Sequence, residues 1–225
     1  MSDEAKTLAA AAALDLVEDG MRLGIGTGST AAAFIDLLGA RVAQGLTVTG
    51  VPTSERSARQ CRDLSIPLTT LDETPELDLA VDGADEFDPA LNLIKGGGGA
   101  LLREKIVAAA AARFVVIADA GKQVDVLGRF PLPVEIVPMA MHPLSLRIAG
   151  WGAQVTLRQT APGEPFVSDE GHHILDCAFG PSIGNPAELA RRLSALPGVV
   201  EHGLFCGMAE RVIIGHADRV ETLMG

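Results

Sequence analysis

The chain has 225 residues, 48% of them hydrophobic, and a formal net charge of -11 at pH 7. This length can bury a sizeable core as one large or two small domains, and the acidity argues against nucleic acid and anionic membrane surfaces as partners. The three cysteines Cys61, Cys177 and Cys206 are odd in number and lack CxxC spacing, which favours reduced thiols over a disulfide framework or a zinc site.

The N-terminal stretch MSDEAKTLAAAAALDLVEDG begins with acidic residues and has the pattern of an amphipathic helix. A signal peptide would instead begin with basic residues and continue into an apolar centre. No apolar run approaches the roughly 20 residues that cross a bilayer. The sequence therefore predicts a cytoplasmic protein with no membrane partner.

Helices alternate with short apolar strands through the first half of the chain. Strands are predicted in MRLGIG, LTVTGVP, LDLAVDGADE and FVVIAD. Helices are predicted from about residue 29 to residue 38, in SERSARQCRDL, and after a run of glycines. This alternation is typical of a parallel sheet with helices on both faces, so the predicted fold class is α/β with a Rossmann-like sheet.

The pattern changes at GRFPLPVEIVP, which holds three prolines within eight residues. Beyond it we predict strand PVEIV, helix MHPLSLRIAG, strands AQVTLRQ and HHILDCAF, helix NPAELARRLSAL and strand VVEHGLF. This βαββαβ order indicates a smaller ferredoxin-like α+β domain. The tail ERVIIGHADRVETLMG is expected to return to the first sheet. The predicted domains are a Rossmann-like catalytic domain of residues 1–130 plus 206–225, and a ferredoxin-like domain of residues 131–205.

The segment GIGTGSTA, residues 24–31, joins the first strand to its helix. Glycines and hydroxyl residues at a helix start present backbone N–H groups to an anion, which favours a single phosphate group. The residues predicted to hold it are Thr27, Gly28, Ser29 and Thr30. The same letters fit a GxGxxA dinucleotide fingerprint, but the acid that such a site needs about 20 residues on is displaced. A dinucleotide site and a bare tight turn remain alternatives.

The segment DLAVDGADEFD places carboxylates after an apolar strand, at the sheet edge where α/β proteins bind ligands. The candidate site residues here are Asp82, Gly83, Ala84 and Asp85. Carboxylate oxygens can hold Mg²⁺, or they can accept hydrogen bonds from sugar hydroxyls and shuttle a proton. A solvated acidic loop is the third possibility.

The segment LIKGGGGALLREKIV combines a lysine, four glycines and a glutamate at a helix start. The glycines, among them Gly96, Gly97 and Gly98, let the backbone approach a ligand closely. Lys95 supplies a cation, and Glu104 is either a partner of the helix dipole or a catalytic base.

The phosphate turn, the acidic pair and this third segment are expected to meet in one crevice and to abstract a proton beside the carbonyl of a phosphorylated sugar. In an aldose–ketose isomerisation, Glu104 would move the proton between neighbouring carbons while Lys95 stabilises the enediolate oxygen. The phosphate would be held remotely and would orient the reacting carbons. Such a reaction needs no redox cofactor.

These segments, together with VPTSERS, LPVEIVP and PGVVEHGLF, resemble type A ribose-5-phosphate isomerases over essentially the whole chain. The resemblance implies interconversion of D-ribose 5-phosphate and D-ribulose 5-phosphate in the pentose phosphate pathway, without a metal or other cofactor, by a homodimer or larger homo-oligomer. It also implies Glu104 as the proton acceptor and adds Lys122 to the substrate-binding residues. Gly121 departs from the serine that often precedes that lysine in the family. His172 and His173 are expected to be surface strand residues.

Other functions remain open from the sequence. A non-catalytic sugar-phosphate sensor would need the phosphate turn and the acidic pair but not Glu104, and it would normally carry a signalling or DNA-binding domain. An amino-sugar phosphate deaminase or a CoA transferase on a similar fold would keep a glycine-rich phosphate loop. A CoA transferase would use a glutamate nucleophile, whereas Lys95 beside the glycines favours an enediolate.

Overall fold

The computed structural model describes residues 3–225, and the chain divides into two compact units. The first unit comprises residues 3–84, Arg103–Gln123 and Gly207–Gly225, and the second comprises Asp85–Leu102 and Val124–Cys206. The sequence places residues 85–102 in the larger domain, whereas this division groups them with the second unit. The reason is that two short strands in this segment form a three-stranded sheet with a strand of the second unit, as described below.

The first unit contains a six-stranded sheet and four helices. Its helices are α1 (Asp3–Leu14), α2 (Ser29–Ala43), α3 (Glu55–Asp63) and α4 (Leu101–Ala110), of which α4 begins two residues before the unit boundary. Its strands are β1 (Arg22–Ile25), β2 (Thr49–Pro52), β3 (Leu79–Asp82), β6 (Phe114–Asp119), β14 (Arg211–Gly215) and β15 (Val220–Met224). A 3₁₀ turn, Ala120–Lys122, follows β6.

The sheet order is β15-β14-β6-β3-β1-β2, and every neighbouring pair is parallel except β14 with β15. The chain moves from β1 to β2 on one side and then places β3 on the other side of β1. This reversal is a topological switch point, which in open α/β sheets lies beside the ligand site. The predicted parallel sheet and the predicted return of the tail to it are both confirmed.

Helices cover both faces of this sheet because the strand residues alternate between two apolar sides. Leu23 and Ile25 share a buried core with Phe34 of α2. Gly24 points the opposite way, where a Cβ would lie 2.5 Å from Val107 Cγ1 of α4. The predicted N-terminal helix is α1, whose alanines pack into the first core; Met1 and Ser2 of that stretch lie outside the described residues.

The second unit contains the ferredoxin-like sheet. Its main sheet has the order β12-β7-β11-β8, with all pairs antiparallel. The elements are β7 (Leu132–Ile136), α5 (Met141–Ala149), β8 (Gln154–Leu157), β11 (His173–Ala178), α6 (Pro186–Ser194) and β12 (Val199–His202), with a 3₁₀ turn at Pro138–Ala140. The predicted βαββαβ order is confirmed, and apolar residues of both helices share the core with the sheet.

Two smaller sheets of the second unit were not predicted. One has the order β13-β5-β4 and the other pairs β10 with β9. Their strands are β4 (Glu86–Phe87), β5 (Leu93–Ile94), β9 (Gln159–Ala161), β10 (Glu164–Pro165) and β13 (Leu204–Phe205). The predicted strand VVEHGLF is divided at Gly203, where a Cβ would lie 2.2 Å from the carbonyl oxygen of Lys95. Only glycine permits this approach of two backbones.

The expectation that His172 and His173 are surface strand residues is confirmed only in part. Both are half-buried, and His173 begins β11 while His172 precedes it. The Nδ1 atom of His172 lies 3.0 Å from Oε1 of Glu135, which also accepts a 2.7 Å hydrogen bond from the Ser168 hydroxyl. The glutamate is 1% exposed, so a buried carboxylate draws the imidazole inward.

The cysteines provide a test of the two cores. None of the three forms a disulfide, and burial raises the pKa of the Cys61 thiol to about 11 and that of Cys177 to about 12. Because the thiolate is the reactive form, we expect neither residue to react with Ellman's reagent at pH 8 in the native protein. All three thiols should react after unfolding in guanidinium. Rapid labelling of Cys61 or Cys177 in the native protein, located by mass spectrometry, would contradict this packing.

Candidate functional site

The turn after β1 forms an uncapped helix start at the switch point. Gly28 is the N-cap of α2 with φ 117°, a conformation that favours glycine, and no side chain caps the helix. Ser29 and Thr30 open the first turn of α2. The first N–H groups of a helix have no partner within the helix and carry its positive dipole end. The geometry therefore suits an anion.

Asp82 holds this turn through its backbone. Its Oδ1 accepts hydrogen bonds from the N–H of Thr27 at 3.0 Å and from that of Gly83 at 2.7 Å. Gly26 lets the carboxylate approach, because a Cβ there would lie 2.3 Å from the Asp82 Cγ. The sequence predicted Asp82 as a sugar acceptor; the structure shows that it also fixes the loop predicted to hold phosphate.

A cluster of four hydroxyl side chains lies beside the turn, and three of its members were not predicted. The Thr27 hydroxyl is 2.7 Å from that of Thr53, 2.8 Å from that of Ser54 and 3.2 Å from that of Ser57. Ser57 also donates to the carbonyl of Gly26 at 2.7 Å, and Ser54 caps α3. The Thr27 hydroxyl is thus engaged with its neighbours. The segment TSERS after β2 was the available signal, since it places hydroxyl residues at a second helix start.

Glu104 lies in the first turn of α4 and is 5% exposed. Val107, one turn further along the same side of the helix, packs over Gly24 of β1. Since α4 leads into β6, which is parallel to β3, the helix crosses back over the sheet and starts near the carboxyl ends of the strands. Arg103 ties this turn to α3 through a 3.0 Å bond to Glu55. Burial at this edge suits the role of a base better than the role of a solvated partner of the helix dipole.

Lys122 ends the 3₁₀ turn that follows β6, so it also lies at the carboxyl edge of the first sheet. The turn is capped by Asp119, whose Oδ1 accepts a 3.0 Å hydrogen bond from the N–H of Gly121. A Cβ at position 121 would lie 2.9 Å from that oxygen. Glycine therefore relieves a close contact at this position, where the resemblance drawn from the sequence implies a serine.

Lys95 follows β5 in the second unit and is 2% exposed. Its Nζ lies 5.5 Å from the centroid of the Phe205 ring, within the range of a cation–π interaction. Its backbone N–H donates to the carbonyl of Gly203 at 2.9 Å. The buried ammonium is thus held by a short sheet that the sequence did not predict.

The glycine loop, defined as residues 96–99, continues from Lys95. Gly96 and Gly99 have φ values of 102° and 81°, which L side chains rarely adopt. Asp85 Oδ2 accepts a 2.7 Å hydrogen bond from the N–H of Gly97. A Cβ on Gly97 would lie 2.7 Å from the other Asp85 oxygen. Asp85 therefore does in the second unit what Asp82 does in the first.

The predicted site residues are divided between the two units. The first unit holds Thr27 to Thr30, Asp82 to Ala84, Glu104 and Lys122, and the second holds Asp85 and Lys95 to Gly98. A cleft of about 590 Å³ in the first unit is lined by α3, α4 and the segment around residues 66–73, and no predicted site residue lines it. This cleft therefore does not coincide with the predicted site residues.

Among residues 3–225, no three His, Cys, Asp or Glu side chains are grouped so that they could hold a metal ion. No helix in the described part of the chain has the length and apolarity to span a membrane.

The fold is an α/β protein with an uncapped helix start at the switch point of a parallel sheet. The family model for ribose 5-phosphate isomerase A (phosphoriboisomerase A) matches residues 49–219. A ribose-5-phosphate isomerase A of Synechococcus sp. (strain JA-3-3Ab) is 55% identical over 225 residues, which cover 99% of this chain and 97% of the relative. The chain belongs to the ribose 5-phosphate isomerase A family.

Solved structures agree with this assignment. A D-ribose-5-phosphate isomerase in complex with phospho-erythronic acid matches with a TM-score of 0.96 at 40% identity, covering 100% of both chains. Ribose 5-phosphate isomerase A from Methanocaldococcus jannaschii matches with a TM-score of 0.95, also at 40% identity and covering 100% of both chains. The predicted α/β class is confirmed by these matches.

Proposed function

We propose that this protein interconverts D-ribose 5-phosphate and D-ribulose 5-phosphate through an enediolate, as an aldose–ketose isomerase of the pentose phosphate pathway. The observation that carries the proposal is the buried Glu104 at the carboxyl edge of the sheet, in a chain 55% identical to a ribose-5-phosphate isomerase A. A direct assay of ribose 5-phosphate conversion tests it.

Glu104 is the proton acceptor in this proposal. It removes the proton from C2 of the open-chain aldose, and the electron pair forms the C1–C2 double bond while the C1 carbonyl π pair moves onto O1. The same carboxyl then returns the proton to C1 as the C2–O double bond forms. Lys95 stabilises the negative enediolate oxygen, since a preorganised cation is worth most where water is excluded. One of the carboxylates of Asp82 and Asp85 carries the hydroxyl proton between the two oxygens.

The phosphate is assigned to the helix start of α2. Its uncapped N–H groups, together with the hydroxyls of Ser29 and Thr30, supply the donors, and Lys122 adds a positive charge at the same sheet edge. The relative solved with phospho-erythronic acid bound a phosphorylated sugar acid. Such a molecule combines a phosphate with a carboxylate, whose charged oxygens can stand in for those of the expected enediolate.

The alternatives drawn from the sequence are not favoured. A non-catalytic sensor has no use for a buried glutamate at this position, and the relatives that match over nearly the full chain carry the isomerase name. The homodimer or larger homo-oligomer and the cytoplasmic location remain predictions, which light scattering and cell fractionation measure.

Substituting Ser29→Asp is expected to raise the KM for ribose 5-phosphate by about 100-fold, since a negative charge would face the substrate phosphate where the helix dipole favours one anion. Aspartate is acceptable near a helix start, so α2 should remain intact. Ser29→Asn is the matched control, because it has the same shape without the charge. Steady-state kinetics measure KM, and inhibition by inorganic phosphate should weaken in parallel.

The same protein tests the dinucleotide alternative. Calorimetry should detect no NAD(H) binding to the parent chain. Micromolar NAD(H) affinity, together with indifference to phosphate, would assign the turn to a dinucleotide and overturn its role here.

Exhaustive dialysis against EDTA is expected to leave activity unchanged. The reason is that Asp82 and Asp85 are assigned to backbone and sugar donors, and the sequence offers no ligand spacing of the kind that metal sites use. Activity is measured before dialysis, after it, and after adding Mg²⁺ or Mn²⁺. If dialysis abolished activity and either ion restored it, Asp82 and Asp85 would be assigned to a metal site instead.

A further inference from the structure

Arg158 contacts the glycine loop from outside every segment that the family resemblance uses. Its Nη1 donates to the carbonyl of Gly96 at 2.8 Å and lies 3.3 Å from that of Gly97. Its Nε and Nη2 donate to the two carboxylate oxygens of Asp176, at 3.0 and 2.5 Å. Arg158 and the loop both belong to the second unit.

The guanidinium is oriented before it reaches the loop. The bidentate pair with Asp176 on β11 uses one edge of the planar fork and fixes its direction, so the remaining nitrogen faces the two carbonyls. The side chain is 14% exposed, and its guanidinium carbon lies 5.8 Å from the centroid of the Phe166 ring. A lysine could not make both sets of contacts from one position.

Phe166 supports the end of the same loop. A Cβ on Gly99 would lie 2.4 Å from the Phe166 Cζ, so the ring packs directly against that glycine. The Phe166 N–H donates to the Arg158 carbonyl at 2.9 Å, which joins the two residues across the β9–β10 hairpin. The loop thus rests on a ring at one end and on a guanidinium in the middle.

The carbonyl directions determine where the loop presents its donors. In a trans peptide, the C=O and the following N–H point in opposite directions. The Gly96 carbonyl faces Arg158, and the Gly97 N–H accordingly faces Asp85 at 2.7 Å. By the same geometry, the contact of the Gly97 carbonyl with Arg158 turns the Gly98 N–H toward the side of Asp85.

We propose that Arg158, oriented by Asp176, is a positioning residue of the isomerase that holds the Gly97–Gly98 peptide so that its N–H donates to a substrate oxygen. This inference rests on the proposed function, which assigns Gly96 to Gly98 to substrate binding. A backbone donor fixed in this way requires no rearrangement when negative charge develops on the substrate.

Arg158→Lys is expected to lower kcat roughly 10- to 100-fold, the size of effect that a misplaced donor produces. The KM for ribose 5-phosphate and the inhibition by inorganic phosphate should change less than about threefold, because the phosphate grip is assigned to α2. Asp176→Asn keeps the arginine but weakens its orientation, so its loss of kcat should be smaller. All values are measured per folded molecule, from circular dichroism and thermal melts.

Arg191→Lys is the matched control. Arg191 makes the same bidentate pair, with Glu188 on α6, at 3.0 and 2.7 Å. This variant should retain full kcat. Wild-type kcat in folded Arg158→Lys, or an equal loss in Arg191→Lys, would overturn the inference. A wild-type chain without isomerase activity would overturn the proposed function instead, so the two failures are distinguishable.

Discussion

Glu104→Gln is expected to lower kcat for ribose 5-phosphate by about 10²–10⁴, the range that general-base catalysis contributes. Glutamine has nearly the same size as glutamate, so the packing of the first turn of α4 should persist, while its amide cannot accept the C2 proton. Substrate binding should survive, because the phosphate is held elsewhere in the proposal. Isomerase kinetics measure kcat, and calorimetry measures binding.

Glu104→Asp is the informative companion variant. It keeps a carboxylate but withdraws it by one methylene, so its activity should lie between those of wild type and Glu104→Gln. A kcat near the wild-type value in folded Glu104→Gln would show that Glu104 is not the base. If Glu104→Gln loses both its activity and its thermal transition, it is unfolded. The role of Glu104 is then tested by the activity of Glu104→Asp.

Lys95→Met is expected to lower kcat by about 10²–10³, the cost typical of removing one preorganised donor to an oxyanion. Methionine fills much of the volume of the lysine stem, which is 2% exposed and contacts Phe205. The expected loss therefore reflects the missing positive charge. Steady-state kinetics and a thermal melt separate this effect from unfolding.

Lys105→Met is its matched control, since it makes the same change of charge and volume at a half-buried lysine to which no catalytic role is assigned. It should retain at least about half of the wild-type kcat, because charges outside the reacting centre act weakly through solvent. An equal loss in both variants would show that net charge, and not the position of Lys95, governs the rate.

The regular elements of the fold could be predicted because local pattern and tertiary role agree in them. The apolar strand FVVIAD is buried throughout as β6, and the alternation of strands and helices produced the parallel sheet. The short sheet of β4, β5 and β13 could not be predicted, because two-residue strands carry no period. The pairing of β5 with β13 also joins residues more than 100 positions apart, as in Leu93 with Phe205.

The sequence could predict which residues of the candidate site lie at strand ends. It could not predict the hydrogen bonds between their side chains. Glu104 after the glycines and the hydroxyl turn after β1 follow from chemistry that needs a base and an anion site. The contacts of Thr27 with Thr53, Ser54 and Ser57 depend on the adjacency of β1 and β2, which sequence spacing does not contain. Likewise, the inward turn of His172 depends on a buried glutamate in a neighbouring strand.

The two aspartates that accept hydrogen bonds from backbone N–H groups reduce the flexibility that glycine gives to the loops. Glycine loses more conformational freedom on ordering than any other residue. A flexible loop of four glycines would therefore lose much conformational entropy each time it became ordered around a ligand. Here Asp82 and Asp85 restrain their loops within the folded chain. Most of the ordering cost is therefore met during folding, so in the proposed site these loops would lose little further conformational entropy when substrate binds.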